Sequence, residues 1–210
     1  MSKRGLYHHG DLRQALLDAA LAVAQEQGVE AVTLREVARR AGVSHAAPYH
    51  HFADKAALLD ALTVQSYGAL TVAARAAADS APGDALAQLG AIGVAYVRFA
   101  LDHPAAFRFL YRPGMVGRDA VLKGWAGDAE KSAAAQGGYE VLRDVITGGQ
   151  RDGVLVAGDP ETLVVTVWAT AHGLAVLLGD GVYGEYPAGG TEADNLAALV
   201  FSTLIAGLRV

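Results

Sequence analysis

Cysteine is absent from the 210 residues, which excludes a disulfide framework and thiolate metal sites and leaves the fold indifferent to redox state. Charge is sparse as well: 19% of residues are charged against 52% hydrophobic, a balance that excludes a disordered polar chain. Runs of β-branched residues are few and alanine fills most segments, so helices are expected rather than sheets. Met1–Gly10 is polar and basic and lacks the apolar stretch of an export signal, which makes the cytoplasm the expected location. A basic footprint is also missing overall, since the net charge is −5, and that alone argues against nucleic acid. The distribution of charge weakens that objection. Residues 1–60 hold seven Lys/Arg, seven Asp/Glu and five of the seven His, so the whole deficit lies beyond them.

What is present reads as a succession of helices. Leu12, Leu16, Ala19 and Val23 recur at the helical period and predict a first helix over 11–27, closed by Gly28. Thr33-Leu-Arg-Glu36 is a capping box in which hydroxyl and carboxylate each satisfy a backbone N–H, and it opens a second helix that stops at Gly42. Ser44 is an N-cap for a third helix over 45–51, short or distorted because Pro48 removes an N–H. Asp54 caps a fourth helix to about 78, ended by Asp79-Ser80-Ala81-Pro82-Gly83. Further helices are expected over 84–102, 104–111, 118–150, 160–178 and 192–208. Gly137-Gly138 and Gly148-Gly149 are expected to kink the third of these.

Two short helices joined by a tight turn suit DNA, because the first can cross the backbone while the second enters a major groove wide enough for one helix. Leu34, Val37 and Ala41 give the second helix an inward face, Ala38 is small at the approach, and Gly42 supplies a turn with positive φ. The string Thr33-Leu-Arg-Glu-Val-Ala-Arg-Arg-Ala-Gly-Val-Ser-His-Ala-Ala-Pro-Tyr-His-His-Phe-Ala-Asp-Lys-Ala-Ala-Leu-Leu59 closely resembles the DNA-binding signature of the TetR family, over roughly residues 9–60. The resemblance implies an all-α protein, with a three-helix helix-turn-helix domain over 1–53 and a helical ligand-binding and dimerisation domain over 54–210. It also implies a DNA-reading set of Thr33, Arg39, Ser44, His45, Ala46, Ala47, Tyr49, His50 and Lys55. In that set Lys55 meets phosphate, His45 is the hydrogen-bonding base reader, and Ala46 and Ala47 offer methyl contacts. Phe52 packs inside, and a core position for Tyr49 is the alternative to its DNA contact. Lys3 and Arg4 form either a minor-groove arm or a loose tail.

Other patterns carry no chemistry. Gly179-Asp-Gly-Val-Tyr-Gly184 has the letters of a dinucleotide-binding turn but follows a helix and precedes Pro187, so it reads as a loop. Ser44 lacks the sheet and final glycine of a nucleophile elbow, and His8-His9 and His50-His51 diverge by about 100° on a helix. No catalytic constellation, cofactor or metal site is expected. Leu163–Leu178 is apolar nearly all round but short for a membrane span, and Leu196–Leu208 is similar. The family resemblance makes these last two long helices the homodimer interface, which implies a palindromic double-stranded operator. Trp168-Ala-Thr-Ala-His172-Gly173 is similar to the WHG-type C-terminal domain of one TetR subgroup. Tyr96, Phe99, Phe107, Trp125, Trp168 and His172 are the candidate contacts of a small, largely apolar effector. A repressor released by that effector is the expected function. A ligand-independent or activating DNA binder is the alternative, and a helical enzyme or carrier is a remote one.

Overall fold

The computed structural model describes residues 9–111 and 129–210, with side chains from 12–111 and 133–210. The chain order is α1 (His9–Gln27), α2 (Leu34–Ala41), α3 (Lys55–Ser80), α4 (Ala85–Asp102), α5 (Pro104–Leu110), α6 (Ala129–Arg151), α7 (Pro160–Gly179) and α8 (Thr191–Leu208). Two 3-10 turns, Val29–Ala31 and Ala47–His50, complete the regular structure. Among the described residues the only β pairing is one isolated antiparallel bridge, Leu155 with Arg209. Lys3, Arg4, His8, Trp125 and the expected start of a helix at 118 lie outside the described residues.

The helix boundaries follow from local chemistry. Asp54 accepts from Ala57 N–H at 2.8 Å, Asp84 from Leu86 N–H at 3.0 Å, and Asp159 from Glu161 N–H at 3.2 Å, so α3, α4 and α7 each start under a carboxylate. Gly42 ends α2 at φ 70°, a left-handed conformation that a side chain would strain. The capping box at Thr33 forms by half. Glu36 N–H donates to the Thr33 hydroxyl at 3.1 Å, but the Glu36 carboxylate turns away to bind Arg39 instead of returning to the Thr33 N–H.

Two expectations are corrected. The glycine pairs do not interrupt α6, which runs unbroken through both, and Gly137 and Gly149 are places where other elements come close. A Cβ on Gly137 would lie 3.0 Å from the Thr71 side chain, and one on Gly149 would lie 2.6 Å from Ala85 Cβ. The second correction concerns 163–178: α7 extends to 20 residues, and α3, α4 and α7 are each long and apolar enough, by length and composition, to cross a membrane.

Hydrophobic burial divides into two clusters. The smaller joins Leu16, Leu17, Val23, Val37 and Phe52 of the head to Leu58, Leu59 and Leu62 of α3 and Phe109 of α5. The larger is built by the rest of α3 with α4, α6, α7 and α8 around Leu89, Ile146 and Phe201. The expected division at 53/54 therefore passes through the smaller cluster. On α7 and α8 large apolar side chains stay outside both clusters, with Val165 44%, Leu177 42% and Leu199 65% exposed.

Candidate nucleic-acid interface and ligand cavity

The segment after Gly42 is a turn rather than an α-helix. Pro48 has no N–H to close a first α-helical turn, so the backbone bonds Tyr49 to Ala46 at 3.2 Å and His51 to Pro48 at 2.9 Å in the tighter 3-10 pattern. Ser44 does not cap through its side chain. Its backbone carbonyl accepts from Ala47 N–H at 3.0 Å, and its hydroxyl side is exposed. The Pro48 ring is buried and anchors the turn, while Ser44, His45, Ala46 and His50 are exposed and Ala47 half-buried. Tyr49 is 61% exposed, which excludes the core position, and Phe52 is 3% exposed beneath the Arg13 guanidinium.

The cations flanking this tip already have partners. Arg39 binds the Glu36 carboxylate, with Nε to Oε2 at 2.8 Å, and Arg40 binds Glu26, tying the end of α2 to the end of α1. These pairs hold the Glu26 and Glu36 carboxyls below their ordinary value, mainly through the arginine hydrogen bonds. Lys55, at the start of α3, donates to the Glu30 carbonyl at 3.2 Å and so ties α3 to the 3-10 turn that follows α1. Thr33, Arg39, Ser44, His45, Tyr49 and His50 are all exposed.

In the larger domain the sequence candidates are brought together in part. Tyr96, Phe107, Trp168 and His172 converge, and Tyr111, left out of the expected contacts, stands at their centre. The Tyr111 oxygen is 2.6 Å from the Tyr96 oxygen and accepts from Trp168 Nε1–H at 3.3 Å, and the Tyr96 oxygen is 3.1 Å from His172 Nδ1. Burial pushes the Tyr96 and Tyr111 phenols above their ordinary value and pushes the His172 imidazole below its own. Phe99 goes elsewhere, buried with its ring 5.2 Å from His103. The signal for Tyr111 was its spacing: Phe107 and Tyr111 are four apart, so α5 and its end present both to one side.

Behind this group is a cavity of about 90 Å³ among α3, α4, α6 and α7, lined by apolar side chains and by Tyr67, Tyr96, Tyr111, Tyr139 and Trp168. In front lies an open cleft of about 390 Å³ between head and body, bounded by Val29 and Glu30 on one side and by Phe107, Arg108, Tyr111, His172 and Asp180 on the other.

An exposed tip presented by a glycine-ended helix, joined through one long helix to an all-helical body with an interior cavity, defines a helix-turn-helix regulator with a sensing domain. The model of the bacterial regulatory proteins of the TetR family matches residues 16–62, and the tetracyclin repressor-like C-terminal domain matches residues 89–204. The chain belongs to the TetR family, a family of DNA-binding transcriptional regulators rather than enzymes. It is 40% identical over 101 residues to the HTH-type transcriptional regulator BetI of Rhizobium meliloti (strain 1021), covering 47% of this chain and 50% of that protein. It is 40% identical over 53 residues to the tetracycline repressor protein class D of Escherichia coli, covering 25% of this chain and 24% of that repressor. The chain thus spans half or less of the curated relatives it matches. A solved structure of a protein of unknown function from Rhodococcus sp. RHA1 superposes with a TM-score of 0.82 at 32% identity, covering 99% of this chain and 100% of that one.

Proposed function

We propose that this protein is a cytoplasmic homodimeric repressor that binds a palindromic double-stranded operator and leaves it when a small, largely apolar effector fills the cavity between α3, α4, α6 and α7. The observation that carries the reading is the tip from Ser44 to His50, which exposes Ser44, His45, Tyr49 and His50 and stands beside the N-terminus of α3. In this reading residues 1–53 read DNA, joined by Lys55 at the start of α3, and 54–210 otherwise dimerise and sense. His45 and Tyr49 face base edges with Ala46 and Ala47, while Thr33, Ser44, His50, Arg39 and Lys55 meet phosphate, Arg39 by exchanging its bond to Glu36. Tyr96, Phe107, Trp168 and His172 stand around the effector in the manner of the WHG-type domain; Trp125, outside the described residues, is a further proposed contact, and Phe99 serves packing against His103. Dimerisation is supported by the apolar side chains that α7 and α8 leave in the open. The word repressor in the name of one relative favours repression over activation.

Coupling requires the effector to bind the two states unequally, and α3 spans the distance from cavity to reading tip. Binding to DNA flanking the protein's own gene, measured by electrophoretic shift, is expected to weaken steeply with salt. Lys55→Ala should weaken all sequences alike, roughly tenfold, whereas His45→Ala should relax preference at one base pair. Salt-insensitive binding, or the same effect from both variants, would overturn the assignment.

A further inference from the structure

The inner cavity and the outer cleft share a wall, and Tyr111 belongs to both. Among the described residues the polar lining of the cavity consists of four phenols and one indole, with no carboxylate, amide or cation. An indole N–H only donates, and a phenol oxygen, sharing its lone pair with the ring, donates better than it accepts. Tyr67 is already spent on the Leu110 carbonyl at 3.0 Å. Among the described residues the remaining wall is therefore rich in donors and offers no counter-charge, so against these residues an ionised guest would lose its hydration without recompense.

The three hydrogen bonds Trp168–Tyr111, Tyr111–Tyr96 and Tyr96–His172 form one series. Trp168 always donates. The other two bonds can run in either direction, and they reverse together when every proton of the series is used in it. With Nδ1 of His172 accepting, Tyr96 donates to it and Tyr111 donates to Tyr96, which leaves no proton for the cavity. With Nδ1 protonated, His172 donates to Tyr96, Tyr96 donates to Tyr111, and the Tyr111 proton is released toward a guest.

We propose that the cavity takes a neutral, apolar molecule bearing one hydrogen-bond acceptor, a carbonyl oxygen, and that Trp168, Tyr111, Tyr96 and His172 are a reversible relay that reports this acceptor as a tautomer change at His172. The carbonyl accepts from Tyr111 and both phenol hydroxyls turn, while Nδ1 of His172 takes a proton from water of the cleft and Nε2 returns one to it, so no net proton is consumed. Burial keeps the ring neutral, which makes tautomerism rather than charge the variable. The change is delivered to the cleft that His172 shares with Arg108, Asp180 and Glu30, and Glu30 is the residue whose carbonyl holds Lys55.

This proposal rests on the cavity being the effector site, and the test separates the two. Acetophenone and ethylbenzene have nearly the same shape and differ by the carbonyl. Calorimetric titration of the wild-type protein should show both binding, the ketone roughly three- to tenfold more tightly, as one net hydrogen bond implies. Long-range nitrogen–proton NMR, with the signal assigned by its loss in His172→Gln, should show His172 passing from the Nε2–H to the Nδ1–H form with the ketone alone. Tyr111→Phe should remove the preference. Equal or weaker binding of the ketone overturns the ligand class, and an unchanged tautomer overturns the relay, both leaving the cavity reading intact. Binding of neither molecule overturns the cavity reading and this proposal together.

Discussion

Gly148 and Gly149 are adjacent in α6 with opposite surroundings. A Cβ at Gly148 meets nothing within 4 Å, whereas at Gly149 it meets Ala85 Cβ at 2.6 Å and Leu155 Cδ1 at 2.7 Å. The Ala85 Cβ cannot swing aside, so backbone must move. Gly148→Ala is expected to raise stability by about 0.5–1 kcal/mol through helix propensity. Gly149→Ala is expected to lower it by about 1–3 kcal/mol through overpacking. Urea midpoints of the two variants check this, and a destabilised Gly148→Ala would contradict the open surroundings. Glu36 shows the other side of residue-scale reasoning: its place in the motif matched a capping box, but Arg39 one turn away offered the carboxylate a charged partner in place of a neutral N–H.

Among the elements, α7 and α8 leave apolar side chains where a single copy cannot cover them. Leu199→Glu, on the most exposed of these positions within a helix, is expected to shift the protein to a monomer in light scattering and to reduce operator affinity at least tenfold while the helical circular dichroism is kept. A dimer that persists in this variant places the interface elsewhere. Most elements were legible in the sequence because their starts are chemical events, as at Asp54 and Thr33, and α2 also ends on a glycine, Gly42, in the one backbone region that favours it. The element after Gly42 was legible as distorted, since Pro48 states it, but not as a 3-10 turn, which depends on where the buried proline ring is held. The continuity of α6 was not legible. Its glycines speak of breakage in one dimension, and only the approach of Thr71 and Ala85 shows that they serve contact. In the site, Trp168 and His172 could be paired from their spacing. Tyr111 acquires its meaning from partners 15 and 57 residues away.

For the molecule as a whole, the buried polar side chains set the pH range over which the fold is kept. Burial holds the phenols of Tyr67, Tyr96 and Tyr111 above their ordinary value. Their contribution is complete below the unfolded phenol value, about 10, and is lost as pH rises past it, because the unfolded chain then releases protons that the folded chain keeps. His172 works in the opposite direction: held low by burial, it contributes above the unfolded value of about 6.5, and that share is lost as pH falls. Urea midpoints should therefore drop above pH 10 and below pH 6.5. Tyr96→Phe should flatten the alkaline limb and His172→Gln the acid one. A midpoint constant to pH 11 would contradict the burial of these phenols.

The first turns of α3 lie in the small cluster and the rest of the helix in the large one, and α5 also lends Phe109 to the small one. This has a practical meaning for anyone wishing to transplant the reading tip onto another sensor. A graft cut after residue 53 would leave behind Leu58, Leu59, Leu62 and Phe109 and deliver a head stripped of its floor. The portable unit is discontinuous in the chain: it must travel with the opening of the long helix, and its host must supply an aromatic side chain at the place of Phe109.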